Sequence, residues 1–182
     1  HRLGSLLGRA AGHRLAAADL GVDAQEAFAR ARVPLQTFQN ADQRIAIEAL
    51  GRLLAECASL TDCKSFGLLV GKRFELKGLG AIGTLMRNSA TVGDALRALL
   101  VHLHLHDRAA VPLLLTVDSS SVLLGYSIFR HGMPGAAHLY DAAIAIGYRA
   151  LSDLCGAGFK PLCVQFSHTR ASDERPYRRL FG

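Results

Sequence analysis

The chain has 182 residues, 50% of them hydrophobic, with a formal charge of +6 and a sequence pI near 9.5. That length suits one compact domain with a sizeable core, expected to span residues 1–182. Charge or glycine interrupts every apolar run short of the roughly 18 residues a membrane span needs, so neither a transmembrane segment nor a secretory leader is expected, and a soluble intracellular protein is the default expectation.

Residues 1–39 carry two short helical patterns. Leu3, Leu6, Leu7, Ala10 and Ala11 suit the first; Gly21 breaks the chain, Asp23 can cap a second over Ala24 to Arg32, and Pro34 ends it. This spacing imitates a helix-turn-helix over residues 15–32, which would make the chain a DNA-binding module. The second helix offers Gln25, Glu26 and Phe28 rather than a set of base-reading side chains, so packing on the next helix is the preferred reading. Asn40 to Leu60 reads as a strong amphipathic helix. Ile45, Leu50, Leu53, Leu54, Cys57 and Leu60 form its buried side, and Arg44, Glu48, Arg52 and Glu56 alternate in sign as a solvated ladder.

Thr61 or Asp62 can cap a helix running through Phe66, Leu69 and Val70 to Arg73. Gly78, Gly80 and Gly83 follow without a preceding strand, which argues for close helix packing rather than a phosphate-cradling loop. Thr91 can cap a helix over Val92 to Leu105 that ends in His102, His104 and His106. His102 and His106 share a face, but no nearby Cys, Asp or Glu completes a tetrahedral metal site, and a helix C-terminus favours histidine in any case.

Val111 to Val117 and Ser121 to Phe129 alternate with period two around the turn Asp118-Ser119-Ser120, the pattern of an antiparallel hairpin. Ala136 to Cys155 then switches to helical period, with Leu139, Tyr140, Ala143, Ile144, Gly147, Ala150, Leu151 and Leu154 as its apolar stripe. His138, Asp141, Arg149, Ser152 and Asp153 fall on or near the polar side. Leu162, Val164 and Phe166 read as a third strand, reached by a right-handed crossover. The expected fold class is therefore α+β, a helix-rich single domain packed on a small mixed sheet.

Cys57, Cys63, Cys155 and Cys163 lack Cys-x-x-Cys spacing and are expected to be reduced, mostly buried thiols. The positive residues are dispersed; only Arg170, Arg175, Arg178 and Arg179 cluster, and they read as a solvated face. Ser119 to Ser121 have no Gly-x-Ser-x-Gly frame, and Asp141 and Asp153 share one side of one helix, so neither a nucleophile nor an acid/base pair is assembled. A small metabolic enzyme is the disfavoured alternative. No catalytic residue, metal ligand or cofactor is expected. For a small-molecule site the candidates are Phe66, His102, Tyr126 and Tyr140, where helices and the sheet face oppose one another; core packing is the competing reading for each. Apolar stripes on the Ala136 to Leu154 and Val92 to Leu105 helices are candidate dimer seams.

The order of several motifs resembles one family. They are Leu20-Gly21-Val22-Asp23, Ser65 to Gly71, Leu79 to Gly83, Ser89 to Leu96, Leu139 to Ala145, Leu154-Cys155-Gly156, Lys160 to His168 and Pro176 to Gly182. Together they resemble the N-terminal, arabinose-binding-like sensing domain of AraC-type bacterial transcription regulators, from about Leu15 onward. The resemblance implies a cytoplasmic domain that binds a small-molecule effector and helps form a homodimer. It implies DNA contact only through a C-terminal domain of two helix-turn-helix units, expected to be missing from these residues. The chain runs from His1 to Gly182 and is expected to be a piece of a longer protein.

Overall fold

A computed structural model describes residues 23–38, 45–105, 110–130, 132–169 and 173–182. The first helical pattern, Arg44, His106 and Arg170 lie outside the described residues, as do residues 15–22 of the 15–32 segment. Seven α-helices are described: α1 (Ala24–Arg30), α2 (Ile47–Leu60), α3 (Phe66–Lys72), α4 (Ala81–Arg87), α5 (Val92–His102), α6 (Ala136–Cys155) and α7 (Arg175–Phe181). Short 3-10 turns cover Leu35–Phe38, Leu76–Leu79 and Leu103–Leu105, and the strands are β1 (Ala110–Thr116) and β2 (Val122–Ile128).

The expected caps form at two helices. The Asp23 side chain accepts from the Gln25 N–H at 2.9 Å, and Thr91 accepts from the Asp94 N–H at 3.1 Å while its own hydroxyl donates back to Asp94. Thr61 does something else. Its hydroxyl donates to the Cys57 carbonyl at 2.6 Å and so closes α2, Asp62 takes a left-handed φ of 48°, and Ser65 stands at the start of α3. The charge ladder of α2 is also put to use rather than left in solvent: Glu48 pairs with Arg130 at 2.7 Å, and Arg52 donates to the Ala31 carbonyl beyond α1 at 3.4 Å.

The core lies between α1, α2, α3 and α6, where Phe28, Leu50, Leu53, Leu54, Phe66 and Leu139 are each at most 1% exposed. Burying each such side chain contributes roughly 1.5–3 kcal/mol. The closest packing is between α3 and α6. A Cβ added to Gly67 would clash with the His138 carbonyl and lie 2.8 Å from Asp141 Cβ; one added to Gly71 would lie 2.6 Å from Ala145 Cβ. These two glycines sit four residues apart, hence on one face of α3, and let the two backbones touch. Just before the first residue of α6, Gly135 has φ 72°, and a Cβ added there would clash with the backbone of Gly51 in α2, a place where no side chain fits.

The hairpin pairs in antiparallel register, Leu113 opposite Gly125 and Leu115 opposite Leu123. The α+β class holds, but among the described residues the sheet has two strands, and residues 162–166 join no ladder. Val164 and Phe166 instead pack on α6 and α7, while Leu162 is 92% exposed. The alternation signals one buried side, and helix surfaces satisfy it as well as a sheet does. The cysteines also depart from expectation. All four are free, but only Cys57 is buried; Cys63 is half-buried, and Cys155 and Cys163 are exposed past the end of the stripe.

Two measurements check this packing. Gly67→Ala should lower stability by about 1–3 kcal/mol through overpacking, whereas Gly147→Ala, whose added Cβ meets nothing nearer than 3.9 Å, should raise it by up to about 1 kcal/mol; thermal melts of the two variants should move in opposite directions. With a thiol reagent at neutral pH, Cys155 and Cys163 should label in the native protein. Cys57, whose thiol is pushed up to about 11 by burial and by the Glu56 charge, should label only on unfolding.

Candidate functional site

Helix α6 is the common wall of two different sites. Its 20 residues turn Leu139, Ala142, Ile146 and Ala150 into the core. Spacings of three and four then put Tyr140, Ala143, Gly147 and Leu151 on a second stripe, all half-buried, and His138, Asp141, Ala145 and Tyr148 on a third.

The second stripe meets the hairpin, where Leu124 Cδ2 is the nearest atom to the space over Gly147. Facing residues on paired strands share a side, so Pro112, Leu114, Leu124 and Tyr126 make the inner face. Only its base is closed, by Ala110 at 6% and Ile128 at 2% exposure; Pro112, Leu114, Leu124 and Tyr126 remain half-buried. The inner hairpin face and the second stripe of α6 are thus both apolar and both half-buried, with small residues, Ala143 and Gly147, on the helix.

Of the four candidate ligand residues, Tyr126 and Tyr140 are half-buried, each packing against the large core cluster that contains Phe66. Phe66 itself is fully buried as the first residue of α3 and belongs to the core beneath them. His102 stands apart from that cluster at the end of α5, half-buried, its Nδ1 donating to the Ala98 carbonyl at 2.8 Å. Among the described residues, no group of three or more His, Cys, Asp or Glu side chains could hold a metal ion.

The third stripe holds a feature that sequence reasoning missed. Asp141 was placed on the solvated side of α6, yet it is 1% exposed. What covers it is the C-terminal arm, residues 156–169 with α7. His168 Nε2 lies 2.9 Å from Asp141 Oδ1, and the Tyr177 hydroxyl donates to Oδ2 at 2.9 Å. Around them Phe166, Tyr177, Phe181 and Tyr148 stack edge-on, with Phe166 and Tyr177 centroids 5.3 Å apart and Tyr148 and Phe181 5.2 Å apart.

Burial raises the Asp141 carboxyl above its usual range, against the opposing pull of Tyr177 and His168, and burial also raises the Tyr177 hydroxyl. One turn earlier, burial pushes the His138 imidazole below its ordinary value, and its Nδ1 has no hydrogen-bond partner. Asp153, also assigned to the polar side, accepts from the Leu76 N–H at 3.1 Å and so fastens the Leu76–Leu79 turn. The sequence signal for Asp141 was a lone acid inside Leu139-Tyr140-Asp141-Ala142-Ala143-Ile144, flanked by large and small apolar residues on every side.

Comparison with known proteins places this geometry in context. Two curated relatives, both called HTH-type transcriptional regulator VirS, from Mycobacterium tuberculosis strains CDC 1551 / Oshkosh and ATCC 25618 / H37Rv, are each 29% identical over 168 residues. The alignments cover 90% of this chain and 48% of each relative, so the chain spans about half the length of the relatives it matches. The profile of the arabinose-binding domain of AraC transcription regulators, N-terminal, matches residues 21–182. The chain accordingly belongs to the family of N-terminal arabinose-binding domains of AraC transcription regulators.

Proposed function

We propose that this domain senses a small-molecule effector in the cleft between the inner hairpin face and α6, within a cytoplasmic regulator that contacts DNA through a separate helix-turn-helix domain. The observation that carries the reading is the half-open inner face. A hairpin normally closes its apolar side on the core, whereas here Leu114, Leu124 and Tyr126 stay half-buried, as do Ala143 and Gly147 on α6, and Leu124 Cδ2 is the nearest atom to the space over Gly147. Such a lining suits a largely apolar or aromatic ligand, oriented by the hydroxyls of Tyr126 and Tyr140. Phe66 belongs to the core cluster against which both tyrosines pack, and His102 offers its remaining ring nitrogen from α5, which packs on β1. The domain acts by binding rather than turnover.

A thermal-shift screen with bacterial metabolites tests this. A ligand bound only by the native state stabilises by about 2.7 kcal/mol at a hundredfold excess over Kd, and Gly147→Leu, which fills the floor, should abolish that shift while leaving the protein folded. A hit that is turned over, or whose shift survives Gly147→Leu, overturns the proposal.

The same reading includes pairing of two copies. The core, the hairpin and the arm each take one side of α6, so of the two helical seams the α5 side, with Val101 62% and Leu105 50% exposed, is the better candidate. Light scattering should show a dimer at micromolar concentration and a monomer for Val101→Glu; a monomer mass for the parent chain up to high micromolar removes this seam.

A further inference from the structure

Helix α6 and the arm that returns along it are joined by a short turn, Gly156-Ala157-Gly158. Gly156 ends the helix with φ 91° and ψ 173°, a region that essentially only glycine occupies, so the fold-back of the arm depends on the lack of a side chain there. One backbone hydrogen bond closes the turn, from the Phe159 N–H to the Gly156 carbonyl at 3.1 Å; among the described residues, 160–169 add no further backbone-to-backbone bond. The arm is attached instead through side chains. His168 and Tyr177 take the two oxygens of Asp141, and Phe166, Tyr177 and Phe181 gather with Leu68, Ala145 and Tyr148 in a cluster of their own, separate from the main core.

We propose that the arm, residues 156–169 with α7, also docks on α6 of a second copy of this chain, so that two copies exchange arms. Only another copy carries the same arm, and every contact to Asp141 and to the aromatic cluster forms between chains as it forms within one. What the exchange changes is the hinge. In a single chain residue 156 stays in the region reserved for glycine, whereas a hinge that runs on to a partner is released from that turn. The hinge also carries uncovered apolar surface: Leu162 is 92% exposed, and Cys155, Ala157 and Cys163 are exposed near it in the chain. Two hinges passing each other about a two-fold axis cover surface that the single chain leaves in water.

Three hinge residues span roughly 10 Å when extended, so the exchange brings the C-terminal ends of two α6 helices together. That end is open, with Cys155, Gly156 and Ala157 all exposed. Each Asp141 then takes His168 and Tyr177 from the other copy, and neither site is complete alone. The arrangement is distinct from side-by-side pairing through the α5 seam. It requires the arm to leave α6 first, so it forms slowly between folded monomers and readily when chains refold together at high concentration.

The test uses the 182-residue chain carrying Val101→Glu, which removes pairing through the α5 seam. Refolded at high micromolar concentration, it should yield a dimer separable from the monomer. In a dimer made from isotope-labelled and unlabelled chains, the rings of Tyr148 and Phe181, 5.2 Å apart, should be in contact between chains. Adding Gly156→Ala strains the fold-back without touching arm or groove, since nothing lies within 4 Å of the added Cβ. It should raise the dimer-to-monomer ratio at least about fivefold, the low end of what such a backbone strain is worth. Gly158→Ala, whose Cβ also meets nothing and whose φ is not positive, should leave the ratio unchanged. Monomer alone from both the Val101→Glu chain and its Gly156→Ala derivative, with the arm docked or undocked, overturns the proposal. So does a dimer whose Tyr148–Phe181 contact stays within each chain, or a ratio that Gly158→Ala raises as much as Gly156→Ala.

Discussion

The rest of the structure depends on how closely α3 approaches α6. Gly67 and Gly71 leave no room for a side chain against His138, Asp141, Ala142 and Ala145, so the two backbones lie in contact and the rotation of α6 about its own axis is fixed. With that rotation set, Leu139 and Ile146 enter the core, Tyr140 and Gly147 turn to the hairpin, and Asp141 and Tyr148 turn to the arm. A helix free to roll by one residue, about 100°, would exchange these roles. Gly51 and Gly135 constrain the N-terminal end in the same way, so α6 is held at two points along its length.

Asp141 illustrates why a buried charge need not add to net stability. Desolvating a carboxylate is expensive, and its hydrogen bonds return only part of that expense; removing one partner, by contrast, leaves the charge uncompensated at about 3–5 kcal/mol. Its effect is therefore on where the arm docks. An apolar residue there would let the aromatic rings of the arm slide along α6, whereas the carboxylate accepts one arrangement, with His168 on one oxygen and Tyr177 on the other.

Much of the fold was readable from the amino-acid order. The change from period two to period 3.6, bounded by Gly135 and Gly156, located α6 to the residue and the ends of each hairpin strand to within one, and Asp23 and Thr91 announced the starts of α1 and α5. Periodicity divides a helix into an apolar and a polar side but does not say what covers the polar one. That is why Asp141 and Asp153 were assigned to solvent although the arm and the Leu76–Leu79 turn meet them. The same limit explains the third strand: one buried side at 162–166 was legible, but its partner was not. Tyr126 and Tyr140 could be named as candidates because they lie on neighbouring elements, the hairpin and α6. Phe66 could not be told from a core residue, because an aromatic at the start of an apolar helix satisfies both descriptions.

The hairpin has an outer face as well as an inner one, and it is apolar: Leu113, Leu115 and Leu123 are each more than 40% exposed, with Gly125 flush among them. The strand sequence Val111-Pro112-Leu113-Leu114-Leu115-Thr116-Val117 is uncharged and rich in residues suited to extended structure, and Pro112 is its sole interruption. Among the described residues this ribbon has two strands, and the outer edges of such a ribbon can recruit further strands. Strand-to-strand accretion at this ribbon is therefore the expected route by which concentrated solutions of the domain turn cloudy, and it requires no unfolding of the helical core. A lysine at position 115, on the solvent side of the ribbon, is the substitution that would keep concentrated solutions clear.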